Sequence, residues 1–343
     1  MSGAAKGEGR DDEFSASAAE RLKPLLATAK TAVLATHVTP DGDGIGAEIC
    51  LQAYLADRGI EARIFNTEAT PLRYRFLDER NAVEVYDEAA HGEFLRSADL
   101  LFMLDNSAPS RFGPLEKAAR ASRAVTVCID HHNITDPFWK VNLIDSSAAA
   151  TGEMVYRIVE ALGGRPDFTA AQAAYVSLVT DTGSFRFGKT APRSHRLAAD
   201  LLEAGVSPPR VHEEVYERSS AALVRLAGVA LAGLSLGEGN RLGWITLTLQ
   251  QVRDSGGMNE DTSDVVNELL TIDGVRLAVL LKELEGGKLK LSFRSKGTLD
   301  VNRIAQSFGG GGHTNASGAV IAGTIAERLE EILQPCRALL QSG

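Results

Sequence analysis

The 343-residue sequence has few cysteines, no long apolar run and fewer basic than acidic residues. Its three cysteines, Cys50, Cys128 and Cys336, are odd in number and too far apart for a C-x-x-C pair, which predicts a reduced, cytoplasmic protein. No apolar run approaches the roughly 18 residues that span a bilayer, so we expect no membrane partner. Residues 1–20 are polar and lack the apolar core of a secretory signal, which predicts a frayed tail.

The charge balance argues against one class of partner. The chain has 36 Lys and Arg against 45 Asp and Glu, a net charge of -9. Sequence-independent binding to a long phosphate backbone requires the opposite sign, so we expect no long nucleic acid as a partner. The composition, 44% hydrophobic and 24% charged, is otherwise typical of globular proteins and excludes a disordered chain.

The N-terminal half alternates short apolar runs with amphipathic segments, which predicts an α/β fold with a doubly wound, mainly parallel sheet. The predicted strands are 31–36, 62–66, 83–87, 100–105 and 124–130, with helices at 45–59 and 113–123. Helical patterns then dominate from 151 to about 236, including 169–183 and 195–205.

A different pattern follows residue 237. The apolar runs RLGWITLT, VRLAVLLKEL and KLKLSFRS predict strands, the last two joined in an antiparallel hairpin through 285–287. Helical stretches are predicted at 261–272, 300–308 and 324–340. At roughly 150 residues per domain the length also favours two domains. We predict a first domain over 1–190, a helical linker over 191–222 and a smaller α/β domain over 223–343.

Acidic and histidine side chains follow the predicted strands of the first domain. They are His37, Asp41 and Asp43 after the first strand, Asp105 at the end of LLFMLD, Asp130, His131 and His132 after AVTVCI, and Asp181 after a helix. Ligands bind beyond the carboxyl ends of the strands in an open α/β sheet, so we expect these side chains to converge.

Carboxylates at close range raise one another's pKa and need cations to offset their charge. Two divalent ions would balance the four carboxylates of Asp41, Asp43, Asp105 and Asp181. Oxygen and imidazole ligands favour Mn²⁺, with Mg²⁺, Fe²⁺ or Co²⁺ as substitutes, and the absence of thiolates argues against a structural zinc site. The sequence therefore predicts two divalent ions per chain, with Mn²⁺ the first choice.

The glycines of the first loop allow two other interpretations. A D-x-D pair among glycines is also typical of a solvated turn with no function. Residues 42–47 fit the dinucleotide pattern G-x-G-x-x-A, but the acidic side chains of that loop would repel a pyrophosphate unless metals intervene. Three further histidines, on polar helical segments, are assigned no role: His91, His195 and His212.

The second domain contains four consecutive glycines, Gly309 to Gly312. Without side chains in the way, their backbone N–H groups can approach an anion, and nearby cationic side chains could add charge. A flexible hairpin loop is the alternative, but the position between an amphipathic helix and an apolar strand favours a ligand loop. The predicted substrate-binding residues are Arg294, Lys296, Gly310, Gly311, Gly312 and His313.

Together these motifs resemble the DHH/DHHA1 phosphoesterase superfamily, and within it the bacterial nanoRNase and pAp phosphatase group. The matching segments are, in order, HVTPDGDGIG (37–46), LDNS (104–107), DHH (130–132), TDTGSF (180–185), FRSKG (293–297) and GGGGHTNASG (309–318). In the first motif, the small residue that usually follows the glycines is here Ala47 followed by Glu48. This is a mild departure from the family pattern, and we do not expect it to affect the metal ligands.

The resemblance implies a metal-dependent phosphoesterase for very short oligonucleotides, dinucleotides or 3'-phosphoadenosine 5'-phosphate (pAp). It implies His37, Asp41 and Asp105 as ligands of one metal and Asp43, Asp105, His131 and Asp181 as ligands of the other. Two such ions can share a water and direct it in line at phosphorus, with no covalent enzyme intermediate.

Further roles follow from the same resemblance. Asp130 would orient a histidine, and His132 would face the scissile phosphate as an acid or hydrogen-bond donor. Arg294, His313 and the glycine loop would hold the other end of the nucleotide. The family also implies a homodimer.

Three alternative functions stay open: a cyclic di-AMP phosphodiesterase, a single-strand exonuclease and a non-catalytic nucleotide sensor. A processive exonuclease requires a basic channel, which the net charge of -9 does not favour. A sensor with a dead site usually lacks a ligand, whereas all six ligand positions are filled here.

Overall fold

The computed structural model describes residues 5–132, 136–258 and 260–342. The chain divides into two compact units, one ending at Arg218 and the other beginning at Ser219. Within the described ranges, no helix combines the length and the apolar character that crossing a membrane requires.

The first unit is built on a parallel sheet, as predicted, but the sheet has six strands, one more than the five predicted. Its strands are β1 Thr31–Ala35, β2 Glu61–Asn66, β3 Val83–Val85, β4 Leu100–Leu104, β5 Val125–Asp130 and β6 Val141–Ile144. The strand order is β3-β2-β1-β4-β5-β6, with every pair parallel. The chain leaves β1 toward one edge and returns beside it as β4. The topological switch point of the sheet therefore lies between these two strands.

Helices cover both faces of this sheet. They are α1 Ala5–Leu26, α2 Gly42–Asp57, α3 Glu88–Ser97, α4 Leu115–Ala121, α5 Thr151–Ala161, α6 Phe168–Asp181, α7 Pro192–Glu203 and α8 Pro208–Tyr216, with 3₁₀ helices over Leu72–Leu77 and Pro109–Phe112. Alternate residues of β4 enter opposite cores: Phe102 and Leu104 pack in the core that includes α2, α5 and α6, and Leu101 and Met103 in the core that includes α3 and α4. The doubly wound prediction is confirmed.

Helix α1 contradicts the frayed tail expected for residues 1–20 from Ala5 onward, and residues 1–4 of that tail lie outside the described residues. Ser15, Ala18, Ala19 and Leu22 are buried, and their spacing of i, i+3, i+4 and i+7 places them on one helix face. The segment looks polar because its buried stripe consists of small residues.

We expected α2 to begin at Ile45, but it begins at Gly42, because the Asp41 carboxylate accepts hydrogen bonds from Asp43 N (3.0 Å) and Gly44 N (3.1 Å) as the N-cap.

The segment 191–222, predicted as a linker, contains α7 and α8. Their apolar side chains Leu197, Leu201, Val211 and Val215 are buried in the core of the first unit. The division of the chain falls after these helices, at Arg218. Amphipathic helices that lie between two domains carry no mark of which core they join, so the sequence pattern did not locate this boundary.

The second unit contains a six-stranded mixed sheet in the order β11-β12-β10-β9-β8-β7. Its strands are β7 Ser235–Gly237, β8 Leu242–Leu247, β9 Leu277–Leu284, β10 Lys288–Ser295, β11 Gly311–His313 and β12 Ala316–Ala322. Its helices are α9 Ala221–Ala232, α10 Leu249–Asp254, α11 Asn302–Ser307 and α12 Ile325–Ser342. Strands β8 and β9 are parallel and the other pairs antiparallel.

The predicted hairpin is β9 and β10, which turn through Gly286 and Gly287 at φ values of 73° and 66°. The helix predicted over 261–272 is a shorter 3₁₀ helix, Val265–Thr271.

Candidate metal centre and active site

The acidic and histidine side chains of the first unit meet at the switch point of the sheet. His37 follows β1, Asp105 follows β4, and Asp130 is the last residue of β5, directly before His131 and His132. Helix α2 brings Asp41 and Asp43 from its N-terminus, and α6 ends at Asp181. Among the residues that the structure describes, ligand atoms within 4.8 Å of one another form three groups: His37, Asp41 and Asp105; Asp43, His131 and Asp181; and Asp105, His131 and His132.

Asp105 stands between the first two of these groups. Its Oδ2 lies 3.3 Å from His37 Nε2, and its Oδ1 lies 3.5 Å from His131 Nε2. The two histidines also face the other carboxylates, with His37 Nε2 3.6 Å from Asp41 Oδ2 and His131 Nε2 3.1 Å from Asp181 Oδ2. One carboxylate therefore offers an oxygen to each of two adjacent ligand groups.

The backbone around Asp105 is unusual. Its φ of 59° lies in the left-handed region, which a non-glycine residue adopts at a cost. The conformation is held by a hydrogen bond from Asp105 N to Ile129 O (3.1 Å) and by Thr151 Oγ1, which donates to Asp105 Oδ1 (3.2 Å). The fold thus maintains a strained residue at the point where its carboxylate faces both groups.

Asp43 is held by groups that the sequence did not indicate. Its carboxylate is fully buried and accepts hydrogen bonds from Thr151 N (2.8 Å) and Gly152 N (2.9 Å) at the N-terminus of α5. Ser177 Oγ, on α6, also donates to it. These donors favour the ionised carboxylate, and a helix N-terminus adds to that preference. No spacing pattern in the sequence links Asp43 to residues more than a hundred positions away.

His37 and His131 present the same ring nitrogen, Nε2, to the carboxylates. His37 Nδ1 lies 2.7 Å from Val38 O, and His131 Nδ1 lies 3.2 Å from Ala148 O. A carbonyl partner places the imidazole proton on Nδ1 and leaves the Nε2 lone pair toward the carboxylates. Metal-ligating histidines show this arrangement.

The electrostatics of the group also fit divalent cations. Burial raises the pKa of Asp105 to about 6, and burial followed by the neighbouring carboxylates raises the pKa of Asp43 and of Asp181. Burial lowers the pKa of His37, but its hydrogen bonds with Asp105 and Asp41 outweigh burial and raise it well above the ordinary value. The raised pKa values mean that these side chains bind protons more readily when no metal is present. Divalent cations that prefer oxygen and imidazole ligands would offset the same negative charge.

Asp130 and His132 form a dyad beside this centre. The buried Asp130 Oδ1 accepts hydrogen bonds from His132 Nδ1 (2.7 Å) and from His132 N (3.0 Å). Burial lowers the pKa of His132, but the hydrogen bond to Asp130 outweighs it, so the pKa is raised. The carboxylate therefore orients the ring and favours its protonated form. Lys189, which sequence analysis also missed, donates to His131 O at 3.1 Å.

The predicted substrate-binding residues of the second unit differ from one another in burial and in hydrogen bonding. Arg294 is largely buried and donates to Ser263 O (3.1 Å) and to its own neighbour's carbonyl, while Lys296 is exposed. Burial lowers the pKa of Arg294. The side chain of His313 lies outside the described residues.

Backbone packing also accounts for part of the glycine run from Gly309 to Gly312. Gly311 and Gly312 lie in edge strand β11 rather than in an open loop, and a Cβ on Gly310 would overlap Gly318 O of β12. Close backbone approach, which only glycine permits, therefore explains Gly310 without a ligand.

The fold and the site define a metal-dependent phosphoesterase of two-domain architecture. Residues 31–180 match the model of the DHH family, N-terminal domain, and residues 244–342 match that of the DHHA1 domain. The chain belongs to the DHH family and is a hydrolase.

Individual proteins of known sequence or structure are similar to this chain over most of its length. The chain is 33% identical over 308 residues to the bifunctional oligoribonuclease and PAP phosphatase NrnA of Thermus thermophilus, covering 89% of this chain and 88% of that protein. It is 29% identical to the protein of the same name from Bacillus subtilis, over 85% of this chain and 89% of the relative. An exopolyphosphatase-related protein from Bacteroides fragilis superposes with a TM-score of 0.89 at 26% identity, covering 95% of this chain and 98% of that one.

Proposed function

We propose that this enzyme hydrolyses very short oligonucleotides, dinucleotides or pAp with the help of two divalent ions, Mn²⁺ being the first choice. The observation that carries the proposal is the position of Asp105, whose two carboxylate oxygens face two separate ligand groups. The names of the Thermus and Bacillus relatives support the substrate class. Three free, buried cysteines are compatible with the reduced cytoplasmic location that we also propose.

The ligands divide into two sets. His37, Asp41 and Asp105 would hold one ion, and Asp43, Asp105, His131 and Asp181 would hold the other. Divalent ions bound in such a pair of sites activate water as a nucleophile and neutralise the charge on phosphoryl oxygens.

His132 supplies the proton or hydrogen bond in this proposal. Asp130 fixes the proton of His132 on Nδ1 and favours the imidazolium, so Nε2 can donate to the departing oxygen or to a phosphate oxygen. The ring is not assigned to a metal, because the nitrogen that lies near the proposed bridging carboxylate, at 3.7 Å from Asp105 Oδ1, is Nδ1, and this nitrogen is committed to Asp130. His132 is therefore the candidate catalytic residue and Asp130 a positioning residue.

The second unit would bind the nucleotide. We propose that Arg294 and Lys296 contribute cationic contacts and that His313 and the edge strand at Gly310, Gly311 and Gly312 contribute the rest. A guanidinium that is held by backbone carbonyls is already oriented, which reduces the entropy lost when it binds an anion.

The experiment compares four substrates on one preparation. The protein is stripped with chelator, reloaded with Mn²⁺, and timed on pAp, pApA, a 24-nucleotide RNA and cyclic di-AMP. We expect no turnover in chelator, recovery with Mn²⁺, and a higher kcat/KM for pAp or pApA than for the other two. Preference for the long RNA or for cyclic di-AMP would favour the exonuclease or cyclic-dinucleotide alternatives, and no turnover of any substrate would favour a sensor. Sedimentation of the same sample tests the homodimer.

A further inference from the structure

Glu153, in the first turn of α5, is a buried carboxylate that the proposed reaction does not use. Only 2% of the residue is exposed, and its Oε2 accepts a hydrogen bond from Ala149 N at 3.1 Å. Ser194 Oγ donates to the same oxygen at 3.4 Å, and Oε1 lies 3.2 Å from Arg193 Nε. A buried carboxylate needs partners of this kind, and here they also determine its direction.

Two arginines lie against this carboxylate: Arg157 Nε is 3.8 Å from Oε1, and Arg193 is the closer cation. The residue is only 8% exposed and lies in the first turn of α7. Its Nη2 donates to Ser147 Oγ at 3.2 Å, and its Nη1 lies 3.6 Å from Asp145 Oδ2. Arg193 therefore joins Glu153 to the first half of the short loop, residues 145–150, that leads from β6 to α5.

The peptide group that Glu153 contacts is the one that His131 uses. Ala149 N–H and Ala148 C=O belong to the same trans peptide, so they point in opposite directions. Glu153 accepts from the N–H, while the carbonyl accepts from His131 Nδ1 at 3.2 Å. A carboxylate on the N–H side polarises the peptide and makes its carbonyl a stronger acceptor, because hydrogen bonds in a chain strengthen one another.

The other side of the His131 ring faces the carboxylates. Its Nε2 lies 3.1 Å from Asp181 Oδ2, 3.5 Å from Asp105 Oδ1 and 3.7 Å from Asp43 Oδ2. A stronger acceptor at Nδ1 holds the ring in this orientation and makes Nε2 a better donor to a metal, as a carboxylate does when it contacts a ligating histidine directly.

We propose that Glu153 is a positioning residue that acts through the Ala148–Ala149 peptide on His131 and so sets the affinity of the metal site formed with Asp43, Asp105 and Asp181. The inference rests on the proposed two-metal function and extends it to a residue outside the ligand set. Arg193 has the supporting role of orienting the Glu153 carboxylate.

The test measures metal binding and needs no substrate. Mn²⁺ is titrated calorimetrically into metal-free wild type, Glu153→Gln and the control Glu160→Gln, which changes an exposed glutamate two turns further along α5. Glutamine preserves the shape and an acceptor for Ala149 N but loses the charge. We expect Glu153→Gln to weaken one of two Mn²⁺ sites by roughly tenfold to a hundredfold, the cost of losing an outer-shell partner, and Glu160→Gln to match wild type.

A double-mutant cycle separates this role from a general effect on folding. In a His131→Asn background, Glu153→Gln should lower Mn²⁺ affinity no further, because the ring through which it acts is gone. An equal loss in both backgrounds, or wild-type affinity in Glu153→Gln, overturns the proposal.

If Glu153→Gln does not fold, Arg193→Gln provides the test: it should weaken the same site, and an unchanged affinity overturns the proposal. Wild type that binds no Mn²⁺ refutes the two-metal site itself.

Discussion

Replacing Glu48 with glutamine should change how the stability of this protein depends on pH. Glu48 is fully buried in α2, and Asn66 Nδ2 donates to its Oε2 at 2.8 Å. The Oδ1 of the same Asn66 accepts a hydrogen bond from Thr36 N, next to His37. Burial raises the pKa of Glu48 from 4.5 to about 8, and the hydrogen bond from Asn66 offsets only part of this effect.

The direction of the effect follows from proton linkage. Because the folded state holds a proton that the unfolded chain releases near pH 4.5, the stability that Glu48 contributes is complete below that pH. It is lost as the pH rises toward about 8, at about 1.4 kcal/mol per pH unit. Between pH 5 and pH 7 the loss amounts to roughly 2 to 3 kcal/mol. Glutamine cannot ionise and can still accept from Asn66, so the variant should not show this loss.

The assay is urea unfolding of the metal-free protein at pH 5, 6 and 7. The quantity to follow is the difference in the free energy of unfolding between Glu48→Gln and wild type, in which the titration of the other carboxylates cancels. We expect this difference to rise with pH in favour of the variant. Glu61→Gln, which changes an exposed glutamate at the start of β2, should show no such trend. A constant difference for Glu48→Gln from pH 5 to 7 would refute the reasoning.

Three further predictions concern the candidate site. Asp105→Ala should lower turnover with Mn²⁺ by at least roughly a hundredfold, because both proposed metal sites share this carboxylate; full activity in the variant or in excess chelator would contradict the two-metal proposal. His132→Asn should lower kcat and leave bound Mn²⁺ near the wild-type amount, whereas His131→Asn should reduce the metal content by elemental analysis; equal metal loss would contradict their different roles. Arg294→Ala should raise KM for pAp or dinucleotides by roughly tenfold to a hundredfold and barely alter hydrolysis of bis-p-nitrophenyl phosphate, and an unchanged KM would remove Arg294 from the proposed substrate site.

The sequence by itself determined five of the six strands of the first unit's sheet and the side chains that meet at its edge; β6, Val141–Ile144, was not predicted. Apolar runs such as LLFMLD are strands because both faces of a parallel sheet are buried, and this pattern is local. The residue after each run must lie at the carboxyl edge, so the meeting of Asp105 and His131 follows from topology. The resemblance to the DHH family came from the residues of the glycine-rich and acidic motifs.

Only the tertiary structure decided how these side chains are held. Thr151, Gly152 and Ser177 bind Asp43 across more than a hundred residues, and no periodicity in the sequence records such pairs. Likewise, Glu153 reaches His131 through a backbone peptide, whose hydrogen-bonding groups are the same whatever the side chain.

The same limit explains the boundaries that differed from the predictions. Helix α1 and helix α7 are amphipathic in sequence, but whether a small or apolar stripe is buried depends on the surface that it meets. Ser15, Ala18 and Ala19 are buried because a matching core exists in the first unit. A sequence pattern can specify that a face requires a partner, and the assembled fold decides which partner it contacts.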